Sequence, residues 1–197
     1  MDVDYPEDST AAPEYDLLVA DPPWELGVSW DVESMWRPTT EAGSYPRMSP
    51  AELTSLPAAR LAAKERALLV MWTTSRHFSQ ALRLIEAWGF DFRGILFTWV
   101  KTNADGSKLL HATPSRQYPL RCSEFVLLGV RGPAPINQAT TRDVIIAPRR
   151  EHSRKPEAFW EALNTWLGDT YPRRLELFAR EPRPGYSAWG NQTAFFQ

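Results

Sequence analysis

Six short apolar runs separated by helical patterns constrain this chain more than any other feature. The runs are Tyr15 to Ala20, Ala67 to Thr73, Ile95 to Val100, Phe125 to Val130, Val144 to Ala147 and Leu175 to Ala179. Runs of four to seven apolar residues read as strands buried on both faces, because a half-exposed strand would alternate polar and apolar positions. The intervening segments change period. Ser49-Pro50-Ala51-Glu52 has the residues of a capping box with a proline in the first turn. Ser75 to Trp88 carries Phe78, Leu82, Ile85 and Trp88 on one side and stops at Gly89. Pro156 opens a segment bearing Phe159, Trp160, Leu163 and Leu167. Strands alternating with helices predict an α/β fold with a largely parallel sheet and helices on both faces. At 197 residues one such domain, 15–197, accounts for the pattern, preceded by a flexible acidic tail over 1–14.

In parallel sheets of this kind, ligands bind beyond the carboxyl ends of the strands. Polar groups follow those ends here: Asp21 after the first strand, Lys101 after the third, His152 to Lys155 after the fifth and Arg180 after the sixth. Composition narrows the setting. No apolar run approaches the roughly 20 residues that cross a bilayer, and the acidic start lacks a signal peptide's basic and apolar regions. The single cysteine, Cys122, fits a reducing, cytoplasmic compartment. His77, His111 and His152 show no metal-ligand spacing, so no metal is expected. Charge is uneven. Residues 1–52 hold 12 acidic and 2 basic side chains, whereas 53–197 hold 12 acidic and 20 basic ones. The basic later portion suits a polyanionic partner, although solvated helix faces would give the same count.

The first strand ends in Asp21-Pro22-Pro23-Trp24. A carboxylate, proline carbonyls on a stiff backbone and a flat indole suit a planar molecule with an exocyclic amine. The ring lies against the tryptophan while the oxygens accept the amine hydrogens. Such acceptors favour a pyramidal nitrogen and free a lone pair that the ring otherwise delocalises, which prepares the amine for attack. Residues 25 to 47, with three aromatics, glycines and prolines but no steady period, read as a mobile gate loop.

The chain resembles the DPPW family of adenine-N6 methyltransferases, typified by the catalytic subunit of the eukaryotic mRNA adenosine-N6 methyltransferase, and most of all its bacterial and phage members. The matching pieces are DPPW (21–24), YPRMSPAEL (45–53), LLVMWTT (68–74), AWGF (87–90), TWVKTN (98–103), SEFVLLGVRG (123–132), HSRKP (152–156), LELFAR (175–180) and WGNQ (189–192), in the family's order. The resemblance implies a Rossmann-like S-adenosylmethionine-dependent fold with the catalytic motif before the cofactor strand. It implies catalytic roles for Asp21, Pro22, Pro23 and Trp24, and cofactor contacts for Lys155, Phe178, Arg180, Asn191 and Gln192. Tyr45, Glu124 and Lys155 would meet the substrate. From the residues alone, Glu124 could instead pair with Arg121 or Arg131, and Asn191 could serve a turn. The expected activity is methylation of adenine N6 in nucleic acid. DNA is favoured over RNA because the Ala-, Arg-, Pro- and Trp-rich composition suits a GC-rich bacterial or phage genome. An RNA adenosine-N6 methyltransferase and a catalytically silent nucleic-acid-binding subunit are the alternatives, and a homodimer or partner subunit is compatible with either. Two departures stand out: 20 residues separate Trp24 from Tyr45, a longer gate than in the eukaryotic subunit, and an upstream acidic cofactor segment has no match.

Overall fold

The computed structural model describes residues 14–24, 47–63, 65–110, 119–135, 140–150 and 154–190. The expected tail (1–13), most of the gate loop (25–46), and Tyr45, Asn191 and Gln192 lie outside the described residues. Among the described residues, seven strands form one sheet: β1 Leu17–Ala20, β2 Ala67–Thr73, β3 Asp91–Thr102, β4 Ser123–Arg131, β5 Val144–Pro148, β6 Arg174–Leu177 and β7 Ser187–Trp189. Their order is β5-β3-β4-β2-β1-β6-β7. Four helices accompany them: α1 Pro50–Ser55, α2 Ala58–Leu61, α3 Phe78–Ala87 and α4 Glu157–Leu167.

Six strands run one way and β4 runs against both its neighbours. The polar stretch between β3 and β4 contains no helix among its described residues to carry the chain back, so β4 returns directly beside β3. It slots between β3 and β2. This reversal places the start of β4 at the same sheet edge as the carboxyl ends of its neighbours, with consequences for Glu124.

Both faces are covered at the centre of the sheet, over β1, β2 and β4, whereas β3 and β5 leave Ile95, Val144 and Ile146 exposed, so these two runs are not buried on both faces as their apolar content suggests. Leu17, Val19, Val70, Trp72, Trp99, Val126 and Ile145 pack against Phe159, Trp160, Leu163 and Trp166 of α4. Leu18, Ala20, Leu69, Met71 and Leu127 face Leu53 of α1 and Ala81, Leu84 and Ile85 of α3. Residues one apart on β1 therefore serve opposite cores. The capping box of α1 is present: the Ser49 hydroxyl accepts from the Glu52 N–H at 3.3 Å, and the Glu52 carboxylate accepts from the Ser49 N–H at 2.7 Å.

Several boundaries differ from the sequence reading, most by one or two residues, and four differences matter. β3 begins at Asp91, not Ile95, because two register shifts and an exposed start hide its period. Helix α3 starts at Phe78, after a turn over Ser75 to His77. β6 stops at Leu177, because Phe178 turns away at φ 63°. Finally, β6 is not the last strand. Ser187–Trp189 adds β7 beside it, three residues too polar and too few to announce a strand.

Candidate active site

Central β1 delivers Asp21 to the carboxyl edge of the sheet, where Pro22 and Pro23 end pairing. Both prolines are buried, and both carbonyls are oriented by backbone donors. The Pro22 oxygen accepts from the Trp24 N–H at 2.8 Å, and the Pro23 oxygen accepts from the Met48 N–H at 2.9 Å. Trp24 and Met48 also form an isolated bridge, so the long connection between them leaves and returns at one point. Each carbonyl retains a second lone pair. The Trp24 indole N–H donates to the Trp72 carbonyl at 3.3 Å, and its ring stacks on His77 with centroids 5.8 Å apart and planes 9° apart.

Asp21 belongs to a chain of four alternating charges. The Lys155 Nζ, just ahead of α4, lies 3.0 Å from Asp21 Oδ1 and 3.0 Å from Glu124 Oε2. Lys101, at the end of β3, pairs with the other Glu124 oxygen. The Lys155 ammonium also sits 4.6 Å over the Trp72 ring, and that of Lys101 lies 4.9 Å from the Trp99 ring. Glu124 therefore pairs with neither Arg121 nor Arg131; the Arg131 guanidinium instead binds the Gly89, Ala62 and Trp88 carbonyls. Burial opposes ionisation of Glu124, but Lys155 and Lys101 outweigh it and hold the carboxyl well below its usual range. Burial likewise opposes the Lys155 charge, and Asp21 and Glu124 together override it, raising the ammonium's pKa. The site is a fixed, charge-balanced array rather than a set of mobile surface charges.

A second group lies along the β6 end. Asp21, Lys155, Phe178, Arg180 and Glu176 line one cleft. Phe178 holds the one positive φ of a non-glycine residue among those described, which costs on the order of 1 kcal/mol or more for an aromatic residue. The turn locks against the chain beyond β7. Ala179 N–H donates to the Trp189 carbonyl at 3.0 Å, and a Cβ on Gly190 would sit 2.4 Å from the Ala179 oxygen. This close approach explains the glycine and brings Trp189 and Gly190 against Phe178 and Ala179.

Glu176 was missed by sequence reasoning. It lies in β6 opposite Val19 of β1, on the face toward α4, with Trp72 nearby. Its Oε2 is buried without a hydrogen-bond partner, and burial pushes the carboxyl up to about 7. An acceptor left unpaired in a cleft is costly unless something fills it. Beside it a strap of ion pairs joins Arg150, Glu157, Arg183, Glu181 and Arg154. Arg150, Arg154 and Arg183 are thus held by carboxylates of the same portion of the chain.

A profile of the MT-A70 family matches residues 15–192. The chain belongs to the MT-A70 family. Curated relatives include the type II methyltransferase M.MunI of a Mycoplasma species, 28% identical over 90% of this chain and 77% of the relative. The N(6)-adenosine-methyltransferase MT-A70-like protein of Arabidopsis thaliana is also 28% identical, across 90% of this chain but 24% of its own length. Human N(6)-adenine-specific methyltransferase METTL4 is 28% identical over 93% and 38% respectively. The chain therefore spans most of the Mycoplasma relative and well under half of the eukaryotic ones.

Methyltransferases of this family use S-adenosylmethionine. The cleft fits such a group: an unpaired buried carboxyl at Glu176 for a cationic or hydroxyl-bearing part, and an aromatic ring at Phe178 and a guanidinium at Arg180 beside it.

Proposed function

We propose that this MT-A70 chain transfers a methyl group from S-adenosylmethionine to the N6 amine of adenine in nucleic acid, with DNA favoured over RNA. The observation that carries the reading is the Asp21 carboxylate, fixed through Oδ1 by an ammonium it shares with Glu124 and set beside the Pro22 carbonyl and the Trp24 ring. When bound, the cofactor supplies an electrophilic methyl group on a sulfonium. The chain's residues do the rest. Asp21 Oδ2 and the free lone pair of the Pro22 oxygen accept the two amine hydrogens, which holds the nitrogen lone pair out of the ring plane. Asp21 works as an acceptor rather than a strong base, since the amine proton becomes acidic only after methylation. Lys155 keeps Asp21 in place, while Lys101 balances Glu124. Trp24 stacks on the base, which must leave its duplex or loop stack to expose the amine to in-line attack. Glu176, with Phe178 and Arg180, receives the cofactor at the end of β6.

A silent binding subunit has no use for an intact Asp21 tied into a buried charge array, which favours the enzyme. The RNA alternative draws on the relatives named as adenosine methyltransferases. The test is to incubate the protein with methyl-labelled cofactor and DNA or RNA oligomers, digest, and identify the labelled nucleoside. Label in N6-methyldeoxyadenosine supports the favoured form and label in N6-methyladenosine the RNA form. Absence of label from both would refute the reading.

A further inference from the structure

His77 is the N-cap of helix α3, the position where Ser, Thr, Asp or Asn would ordinarily accept from the first free N–H groups. The His77 side chain makes no such capping bond. Its ring is buried instead, with Nδ1 3.0 Å from Thr74 Oγ1 and its plane 9° from that of the Trp24 indole. The chain forgoes a cap in order to place a flat ring against the motif's aromatic residue. Trp24 is held at a second point by its indole N–H on the Trp72 carbonyl. That hydrogen bond fixes an edge of the indole, which also packs against the core beneath α1 and α3. The parallel His77 ring covers one of its faces.

We propose that His77 is a positioning residue that sets the plane of Trp24, so that the opposite face of the indole receives the target base. The inference rests on the methyltransferase reading for the identity of that base and adds a residue from α3 to a site otherwise built from strand ends. A base seated there would continue a three-ring stack of base, Trp24 and His77. It follows that the shape of the side chain at 77 matters, not its hydrogen bonding: a flat ring should work and a branched aliphatic of similar bulk should not.

The test uses His77→Leu, His77→Phe and His77→Gln in the full chain. The first readout is the Trp24 indole N–H resonance, assigned by its disappearance in Trp24→Phe. The second is steady-state methylation of an adenine-containing oligomer, resolved into KM and kcat, with cofactor affinity measured separately. In His77→Leu the indole resonance should move, and KM for the oligomer should rise on the order of 3- to 10-fold, the size of one aromatic pair. Cofactor affinity should stay within about twofold if only the stack is lost. His77→Phe should restore both resonance and KM. If His77→Leu does not fold, His77→Gln, which lacks a ring but keeps polar atoms, should show the same losses. An unmoved resonance with unchanged KM in a folded ringless variant overturns the proposal, and so does a folded His77→Phe that restores nothing. Should the wild-type protein methylate no adenine, the functional reading fails, while the indole resonance still decides whether His77 sets Trp24.

Discussion

Replacing Lys155 with methionine tests the charge array at its centre. The ammonium touches two carboxylates at 3.0 Å each and is 11% exposed. At an effective dielectric of about 20, each contact is worth about 5 kcal/mol of Coulomb attraction, offset by desolvation of several kcal/mol per ion. Methionine keeps the packing over Trp72 but leaves Asp21 and Glu124 facing each other without the cation between them. Removing one partner of a buried pair costs about 3–5 kcal/mol; because Lys101 still holds Glu124, the lower end is expected, about 3 kcal/mol. The pH dependence identifies the cause. Glu124 titrates below its unfolded value of 4.5 in the native protein, so its contribution is full above that pH and fades as pH falls through the native value. The stability gap between wild type and Lys155→Met should therefore be widest near neutrality and shrink below pH 4.5. Urea titrations across that range measure it. Adding Glu124→Gln to Lys155→Met should recover part of the loss at neutral pH. Equal urea midpoints near neutrality, or a gap that does not shrink on acidification, would refute the account.

Asp21→Asn should slow single-turnover methylation by on the order of 100-fold or more while leaving cofactor affinity nearly unchanged; a near-normal rate in folded protein would reduce DPPW to a turn. Glu176 titrates above its unfolded value of 4.5, at about 7, so the stability it contributes is full below 4.5 and is lost as pH rises to about 7, by about 3 kcal/mol. Glu176→Gln should remove that decline and be the more stable protein at pH 8, yet bind the cofactor more weakly by calorimetry. Gly190→Ala forces a methyl group to within 2.4 Å of the Ala179 oxygen, so it should destabilise the β6–β7 seam by about 1–3 kcal/mol in a thermal melt.

The end of β1 was legible in the sequence because its signals are local. Asp21-Pro22-Pro23-Trp24 must end a strand wherever that strand lies, since two prolines cannot pair. Ser49 and Glu52 cap α1 through contacts three residues apart. The runs of β1, β2 and β4 specified strands buried on both faces, and with intervening helices the pattern specified an α/β sheet, while the exposed face of β5 was not legible in its apolar residues.

What the chain alone left open was contact between residues far apart along it. Glu124 stood between Arg121 and Arg131 in the sequence, yet its partners are Lys101 and Lys155, because antiparallel β4 carries its first residues to the edge where β3 ends and α4 begins. His77 gave no metal-ligand pattern and was set aside; only the packing of α3 against the end of β1 laid its ring on Trp24. Glu176 looked like one polar residue in LELFA. Its meaning lies in burial between β1 and α4 with an oxygen unpaired, and burial is a property of the whole fold. Local steric and hydrogen-bonding rules determine where a strand stops and a helix starts, whereas the strength of a charge depends on which distant groups exclude water from it.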